Sequence, residues 1–200
     1  QEKFSSKGGS TSGGKNNITI IEGDILQIKE SRPLGEVFGS SYKIIANIPY
    51  YITGHFLRLF LESDDLRPSM MVLMVQREVA ERIMGNGGPS RNLRLNKESL
   101  LSIAVKAYGV PEIIRKVPRG AFSPPPNVDS AIIKISNISD HWFKKNHIKP
   151  QKFFEIVRRA FQNKRKMLKK SLKNSIVVPE NLGNKRPEDL SLENWASIMQ

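Results

Sequence analysis

Cysteine is absent from the 200 residues, and histidine occurs only three times. The first absence excludes a disulfide scaffold, thiolate metal centres and cysteine nucleophiles, and three scattered imidazoles leave no cluster for a metal. No metal site is expected. No apolar run reaches the roughly 18 residues that a membrane-crossing helix needs, and the N-terminus lacks the apolar core of a secretory signal. These absences predict a cytoplasmic protein with no membrane partner. Acid is scarce as well: 19 Asp and Glu stand against 32 Lys and Arg, a formal net charge of +13. Such a surplus points to a polyanionic partner, nucleic acid first. Hydrophobic residues make up 38% of the chain, enough to bury a core, so a disordered chain is excluded.

The surplus charge is concentrated. Residues 141–174 carry twelve basic side chains against the single acid Glu155, while the remainder is nearly neutral. The chain therefore divides into a balanced body and a basic C-terminal part. Residues 1–15 are rich in Gly, Ser and Lys with one aromatic, Phe4. They cannot bury enough apolar surface to offset the entropy of ordering, and a flexible tail is expected over residues 1–16.

From Asn17 the pattern changes. Ile18, Ile20 and Ile21 form a β-branched run, and residues 42–48 form a second apolar run that ends at Pro49. Both are expected as buried strands. Phe56, Leu57, Leu59, Phe60 and Leu61 give a short amphipathic helix, and residues 70–75 (MMVLMV) read as a third buried strand. Strand, helix, strand predicts a parallel sheet with crossovers, an α/β fold. Residues 76–84 continue as a helix that stops at Gly85, Asn86, Gly87, Gly88 and Pro89. Residues 99–108 have helical spacing. Residues 113–117 and 130–135 are β-branched runs on either side of the proline-rich turn 122–127, an expected antiparallel pair. Beyond Ser136, Phe154, Val157, Phe161, Leu168 and Leu172 form one apolar helical stripe, with Arg158, Arg159, Lys166, Lys169 and Lys173 mostly off it. A last amphipathic piece, residues 190–199, is expected to pack back on that helix. Glu78 and Arg82, four apart, read as a structural ion pair.

Asn47, Ile48, Pro49 and Tyr50 stand at the C-terminal end of an expected strand, the edge at which open α/β sheets bind ligands. An exocyclic amine on a base is a poor nucleophile because its lone pair is delocalised into the ring. Two acceptors holding its hydrogens favour a rehybridised, attacking nitrogen, and the Asn47 side-chain oxygen and the Ile48 carbonyl are candidates. Pro49 fixes φ and removes a competing N–H, and Tyr50 offers a face on which a flipped base can stack. The same four residues also read as a strand ending in a turn with an ordinary aromatic. Asp24, by itself, reads as a helix N-cap. Lys164, Arg165, Lys166, Lys169, Lys170 and Lys173, expected on one helix, offer phosphate donors without reading sequence, or else form a solvated face.

Four segments together resemble the small-subunit rRNA adenine N6-dimethyltransferase family. They are Asn-Ile-Pro-Tyr-Tyr-Ile-Thr at 47–53, Met-Val-Gln-Arg-Glu-Val-Ala-Glu-Arg-Ile at 74–83, Val-Pro-Arg-Gly-Ala-Phe-Ser-Pro-Pro-Pro-Asn-Val-Asp-Ser-Ala at 117–131 and Phe-Gln-Asn-Lys-Arg-Lys-Met-Leu at 161–168. Their order and spacing match, and the resemblance runs from about Asn17 to the C-terminus. It implies that Asn47, Ile48, Pro49 and Tyr50 orient the target adenine, with Asn47 also beside the cofactor. It implies too that Gly23, Asp24 and Ile25 bind S-adenosylmethionine, the Asp24 carboxylate accepting its adenine amino group while Ile25 packs on the ring. The loop at 122–126 is implied to close on the base, Phe122 opposite Tyr50, its three prolines preorganising the backbone; a stiff linker or a proline-rich ligand segment are the other readings. Arg158, Arg159, Lys164, Arg165, Lys166, Lys169 and Lys170 are implied to bind the rRNA backbone.

The family's Glu-x-Gly-x-Gly-x-Gly cofactor loop and its ribose-binding acid are expected upstream of Asn17, and neither is present. Gly8, Gly9, Gly13 and Gly14 follow no expected strand and do not qualify. Residues 85–94 are more glycine-rich than the family leads one to expect and read as a local insertion. The fold expected is a partial Rossmann-like class I methyltransferase sheet, its first strands missing, over residues 17–138, followed by a small basic helical domain over residues 139–200. The expected activity is methyl transfer to adenines of small-subunit rRNA, or of a small-subunit precursor, by a monomer. Two alternatives stand beside it: a non-catalytic RNA- or ribosome-binding protein or inactive fragment of such an enzyme, and methylation of adenine in DNA.

Overall fold

The computed structural model describes residues 5–7, 20–28, 37–39, 41–63, 67–85 and 97–200. Two short strands, β1 (Ser5–Lys7) and β2 (Ile20–Glu22), pair antiparallel with Ser6 opposite Ile21. Part of the expected tail is therefore strand; the four glycines at 8, 9, 13 and 14 lie outside the described residues. Strand β2 departs from the expectation of burial, with Ile20 70% and Ile21 40% exposed. A two-stranded ribbon has no second layer to cover its faces.

Among the described residues the main sheet has four strands in the order β3-β4-β6-β5. Strand β3 (Lys43–Asn47) continues through a 3-10 turn (Tyr50–Ile52) into helix α1 (Thr53–Leu61), which crosses over to β4 (Met70–Gln76). Strands β3 and β4 are parallel, as expected. Helices α2 (Arg77–Met84) and α3 (Leu100–Tyr108) follow, then the antiparallel pair β5 (Val110–Val117) and β6 (Ser130–Ser136), with β6 inserted between β4 and β5. The α/β reading holds. Along β4 the period of two puts Met71, Leu73 and Val75 wholly inside. Strand β3 is less buried than its apolar run implies: Ile44 and Ala46 face the core, while Ile45 is 80% exposed on an edge strand.

Local chemistry sets the helix ends. Ser99 Oγ accepts the Ser102 N–H at 3.1 Å and Ser102 Oγ accepts the Ser99 N–H at 2.7 Å, a reciprocal cap that starts α3. Gly85 ends α2 at φ 54°, where an added Cβ would lie 2.5 Å from the Glu98 carboxylate. No other residue fits there without strain. The expected insertion falls mostly on residues 86–96, outside the described residues. The Glu78–Arg82 ion pair is present at 2.5 Å.

The C-terminal part adds α4 (His141–Lys145), α5 (Pro150–Gln162), α6 (Leu168–Ser171), α7 (Glu180–Gly183) and α8 (Leu192–Met199). Helix α3 joins this part to the sheet. Its Tyr108 ring lies 5.0 Å from Phe143 of α4 and 6.0 Å from Phe154 of α5, and one hydrophobic cluster runs from Phe56 to Trp195. Lys97 Nζ meets Glu188 at 2.7 Å and Asp189 at 3.2 Å, contacts that hold its ammonium above the ordinary pKa of 10.5. The Glu98 N–H donates to the Glu188 carbonyl at 2.9 Å beside them.

The single helix expected from Phe154 to Leu172 is instead two. Helix α5 ends at Gln162, and Asn163, Lys164, Arg165 and Lys166 form a turn closed by the Lys166 N–H on the Asn163 carbonyl at 2.7 Å. Asn163, at φ −115° and ψ 41°, tolerates the non-helical geometry that ends α5. Leu168 and Leu172 still reach the core, because the Leu168 N–H bonds the Lys185 carbonyl at 2.9 Å and redirects the chain. As expected, the last helix packs back, with Trp195 buried and its ring 6.3 Å from Phe161. Trp195→Ala is predicted to lower the stability of the whole chain by about 3–5 kcal/mol in a urea titration, with sheet and C-terminal probes unfolding together. A loss under about 1 kcal/mol, or two separate transitions, would show that the C-terminal helices do not share the core.

Candidate functional site

The parallel pair β3 and β4 ends with Asn47 opposite Met74, and the chain leaves β3 through Ile48 and Pro49 into the Tyr50–Ile52 turn. Pro49 sits at φ −57°, and Thr53 Oγ1 closes the turn by donating to the Tyr50 carbonyl at 3.0 Å. These constraints turn the backbone sharply across the end of the sheet. A recess of about 360 Å³ opens there, lined by Asn47, Ile48, Pro49 and Tyr50 on one side and by Phe122, Pro124 and Pro126 on the other. That volume is in the range of small-ligand sites. The structure thus brings together the five residues singled out for the target base, although they come from segments more than seventy positions apart in sequence.

Two neighbouring residues that sequence reasoning missed fix the walls. The Tyr50 hydroxyl and the Ser130 hydroxyl share a hydrogen bond of 2.6 Å, in which either can donate. Ser130 is wholly buried at the start of β6, so the tyrosine ring is held by its far end. Asp129 anchors the loop that forms the opposite wall. Its Oδ1 accepts the Arg119 N–H at 3.1 Å, its Oδ2 meets Arg77 at 3.2 Å, and its carbonyl accepts the Arg77 N–H at 2.9 Å. The loop that carries Phe122, Pro124 and Pro126 is therefore pinned at both ends. The available signal was an aspartate and a serine opening a β-branched run, where a packed strand has no use for either.

Gly23, Asp24 and Ile25 lie at the start of a 3-10 turn (Ile25–Gln27) that packs against α1. The exposed Asp24 carboxylate caps this turn, Oδ1 accepting the Leu26 N–H at 2.9 Å. The capping reading is thus correct as structure. It leaves Oδ2 as the oxygen an incoming N–H would meet, beside the half-buried Ile25, an acceptor that fits an adenine amino group.

The basic residues separate into two kinds. Arg159, Lys164, Arg165, Lys166, Lys169 and Lys170 are exposed around the α5–α6 turn. Arg158 instead pairs with Glu62 at the end of α1 and lies 5.4 Å over the Phe154 ring. It joins α5 to α1.

The family model described as ribosomal RNA adenine dimethylase matches residues 2–195, so the likeness begins well before Asn17. The ribosomal RNA small subunit methyltransferase A of Dehalococcoides mccartyi is 38% identical over 182 residues, 91% of this chain and 56% of that protein. Its counterpart in Fusobacterium nucleatum is 33% identical over 213 residues, covering 100% of this chain and 72% of that protein. The chain thus spans little more than half the length of the first relative. Among solved structures, a dimethyladenosine transferase from Plasmodium falciparum gives a TM-score of 0.62 at 24% identity, over 78% of this chain and 65% of that one. The 23S rRNA methyltransferase ErmE gives 0.59 at 20% identity, over 80% and 64%. Both share the fold. With four motifs in register and the match running nearly end to end, the chain belongs to the ribosomal RNA adenine dimethylase family.

Proposed function

We propose that the chain transfers methyl groups from S-adenosylmethionine to the exocyclic amine of adenines in small-subunit rRNA, in the cytoplasm. The observation that carries this reading is the recess at the end of β3, where Asn47 and Ile48 lie between Tyr50 and the loop of Phe122, Pro124 and Pro126. An aromatic and apolar slot with two adjacent acceptors suits a flat base presenting an amine. The names of the relatives from Dehalococcoides mccartyi and Fusobacterium nucleatum support it.

The chain's own residues divide the work. Tyr50, tied to Ser130, supplies one stacking face and Phe122 the other. The Asn47 side-chain oxygen and the Ile48 carbonyl accept the two amine hydrogens, drawing the nitrogen lone pair out of the ring plane. Pro49, which has no N–H, adds no donor at this edge. S-adenosylmethionine, when bound, supplies a methyl group on a sulfonium, open to in-line displacement. Gly23, Asp24, Ile25 and Asn47 would hold it, Asp24 through Oδ2. Positioning carries most of the rate in such a transfer, and no Lewis acid is required. Arg159, Lys164, Arg165, Lys166, Lys169 and Lys170 meet rRNA phosphates, while Arg158 keeps its structural partner.

A calorimetric titration of the 200-residue chain with S-adenosylmethionine separates this reading from that of a non-catalytic RNA binder. Saturable one-to-one binding, weakened roughly tenfold or more in Asp24→Ala through loss of a charge-assisted hydrogen bond, is the expected result. No binding by a chain that circular dichroism shows to be folded would favour the RNA binder. Ser130→Ala frees the Tyr50 hydroxyl and is predicted to slow methyl transfer about three- to tenfold without changing S-adenosylmethionine affinity. Undiminished transfer would mean that Tyr50 needs no anchor.

A further inference from the structure

The turn Tyr50–Ile52 and helix α1 carry an outward stripe that the base recess does not use. Tyr51, next to the stacking tyrosine, is 90% exposed. His55 follows four residues later and Arg58 three after that, both exposed, while Phe56, Leu57, Phe60 and Leu61 on the same helix face the core. No carboxylate interrupts the stripe from Tyr51 to Arg58. It ends at Glu62, whose partner is Arg158 of α5. The turn that leads into α1 thus borders the base recess through Tyr50, and Glu62 at the end of the helix meets Arg158 of the basic C-terminal segment. The Tyr51 ring stands almost wholly in water, its face open to a stacking partner.

We propose that this stripe is a track for the single-stranded RNA flanking the target adenine, with Tyr51 stacking on a neighbouring base and His55 and Arg58 meeting the backbone. The proposal rests on the reading of the recess as an adenine site. Three features on this surface select RNA over other partners. An exposed ring offers a face that any unstacked base can use, the charge along the stripe is positive, and the stripe continues directly from the recess. The nine residues of α1 rise roughly 13 Å. Bases spaced about 3.4 Å apart would place about four nucleotides along it before the strand reaches the basic turn after α5. The side chains read no base edges, so the track steers the strand without specifying sequence.

The test is fluorescence anisotropy with a labelled single-stranded RNA of about ten nucleotides, one adenine among uridines, titrated with the unaltered chain, Tyr51→Ala, Tyr51→Phe and Arg58→Ala. Tyr51→Ala is expected to weaken binding roughly five- to hundredfold, with Tyr51→Phe within about twofold of the unaltered chain, because the ring and not the hydroxyl stacks. Arg58→Ala is expected to shrink the slope of log affinity against log salt by about 0.7, the value for one phosphate contact on a single strand. Unchanged binding in both alanine variants, or an equal loss in Tyr51→Phe and Tyr51→Ala, overturns the track even if the chain methylates RNA. An unaltered chain that binds neither this RNA nor S-adenosylmethionine overturns the adenine-site reading and the track with it. The exposure of Tyr51 and Arg58 keeps folding out of the comparison, and circular dichroism verifies it.

Discussion

A hydrogen bond of 2.6 Å between Tyr50 and Ser130 joins residues eighty positions apart and decides whether the recess at the end of β3 has a fixed wall. The bond exists only because β6 lies beside β4 and β4 beside β3, an order that brings the start of β6 to the end of β3. With one partner wholly buried, the bond is sheltered from competing water, which makes its loss costlier than that of a surface contact. The opposite wall depends on the same two-residue step, since Asp129 pins the loop bearing Phe122 to α2 and to its own first turn. One dipeptide at the mouth of β6 therefore sets the width of the slot.

Helix α3 has a comparable role for the molecule as a whole. It is buried by the sheet on one side and by the aromatic cluster of Phe143, Phe153 and Phe154 on the other. Residues of the sheet and of the C-terminal helices thus meet in one hydrophobic cluster. The paired contacts of Lys97 and Glu98 with Glu188 fasten the same junction from outside. These contacts hold the segment that carries Glu188 and Asp189 against the start of α3.

Much of this was legible in the sequence, for identifiable reasons. The runs at 70–75 and 130–135 show as strands because each is short and apolar or β-branched, and the stripe of Phe56, Leu57, Phe60 and Leu61 shows α1. Asn47, Ile48, Pro49 and Tyr50 stood out because a proline and an aromatic directly after a strand leave few backbone paths. The misses share one physical origin, namely that pattern records apolarity but not what covers it. Ile20, Ile21 and Ile45 are as apolar as any core residue, yet a two-stranded ribbon and an edge strand leave them in solvent. The stripe from Phe154 to Leu172 is apolar throughout, but the cationic turn after Gln162 breaks the helix while tertiary contacts keep Leu168 and Leu172 inside. Ser130 and Asp129 escaped notice because their significance depends on a residue elsewhere in the chain.

The most direct check of the account is the chemical identity of the product. Small-subunit rRNA incubated with the chain and isotopically labelled S-adenosylmethionine, then digested to nucleosides and analysed by mass spectrometry, should yield label in adenosine on the exocyclic nitrogen alone, and Asn47→Ala should abolish it. Label on a ring nitrogen, on ribose or in another base, or label that persists in Asn47→Ala, would contradict the assignment of the recess beside Asn47 and Ile48 as the place where an adenine amine is held and methylated.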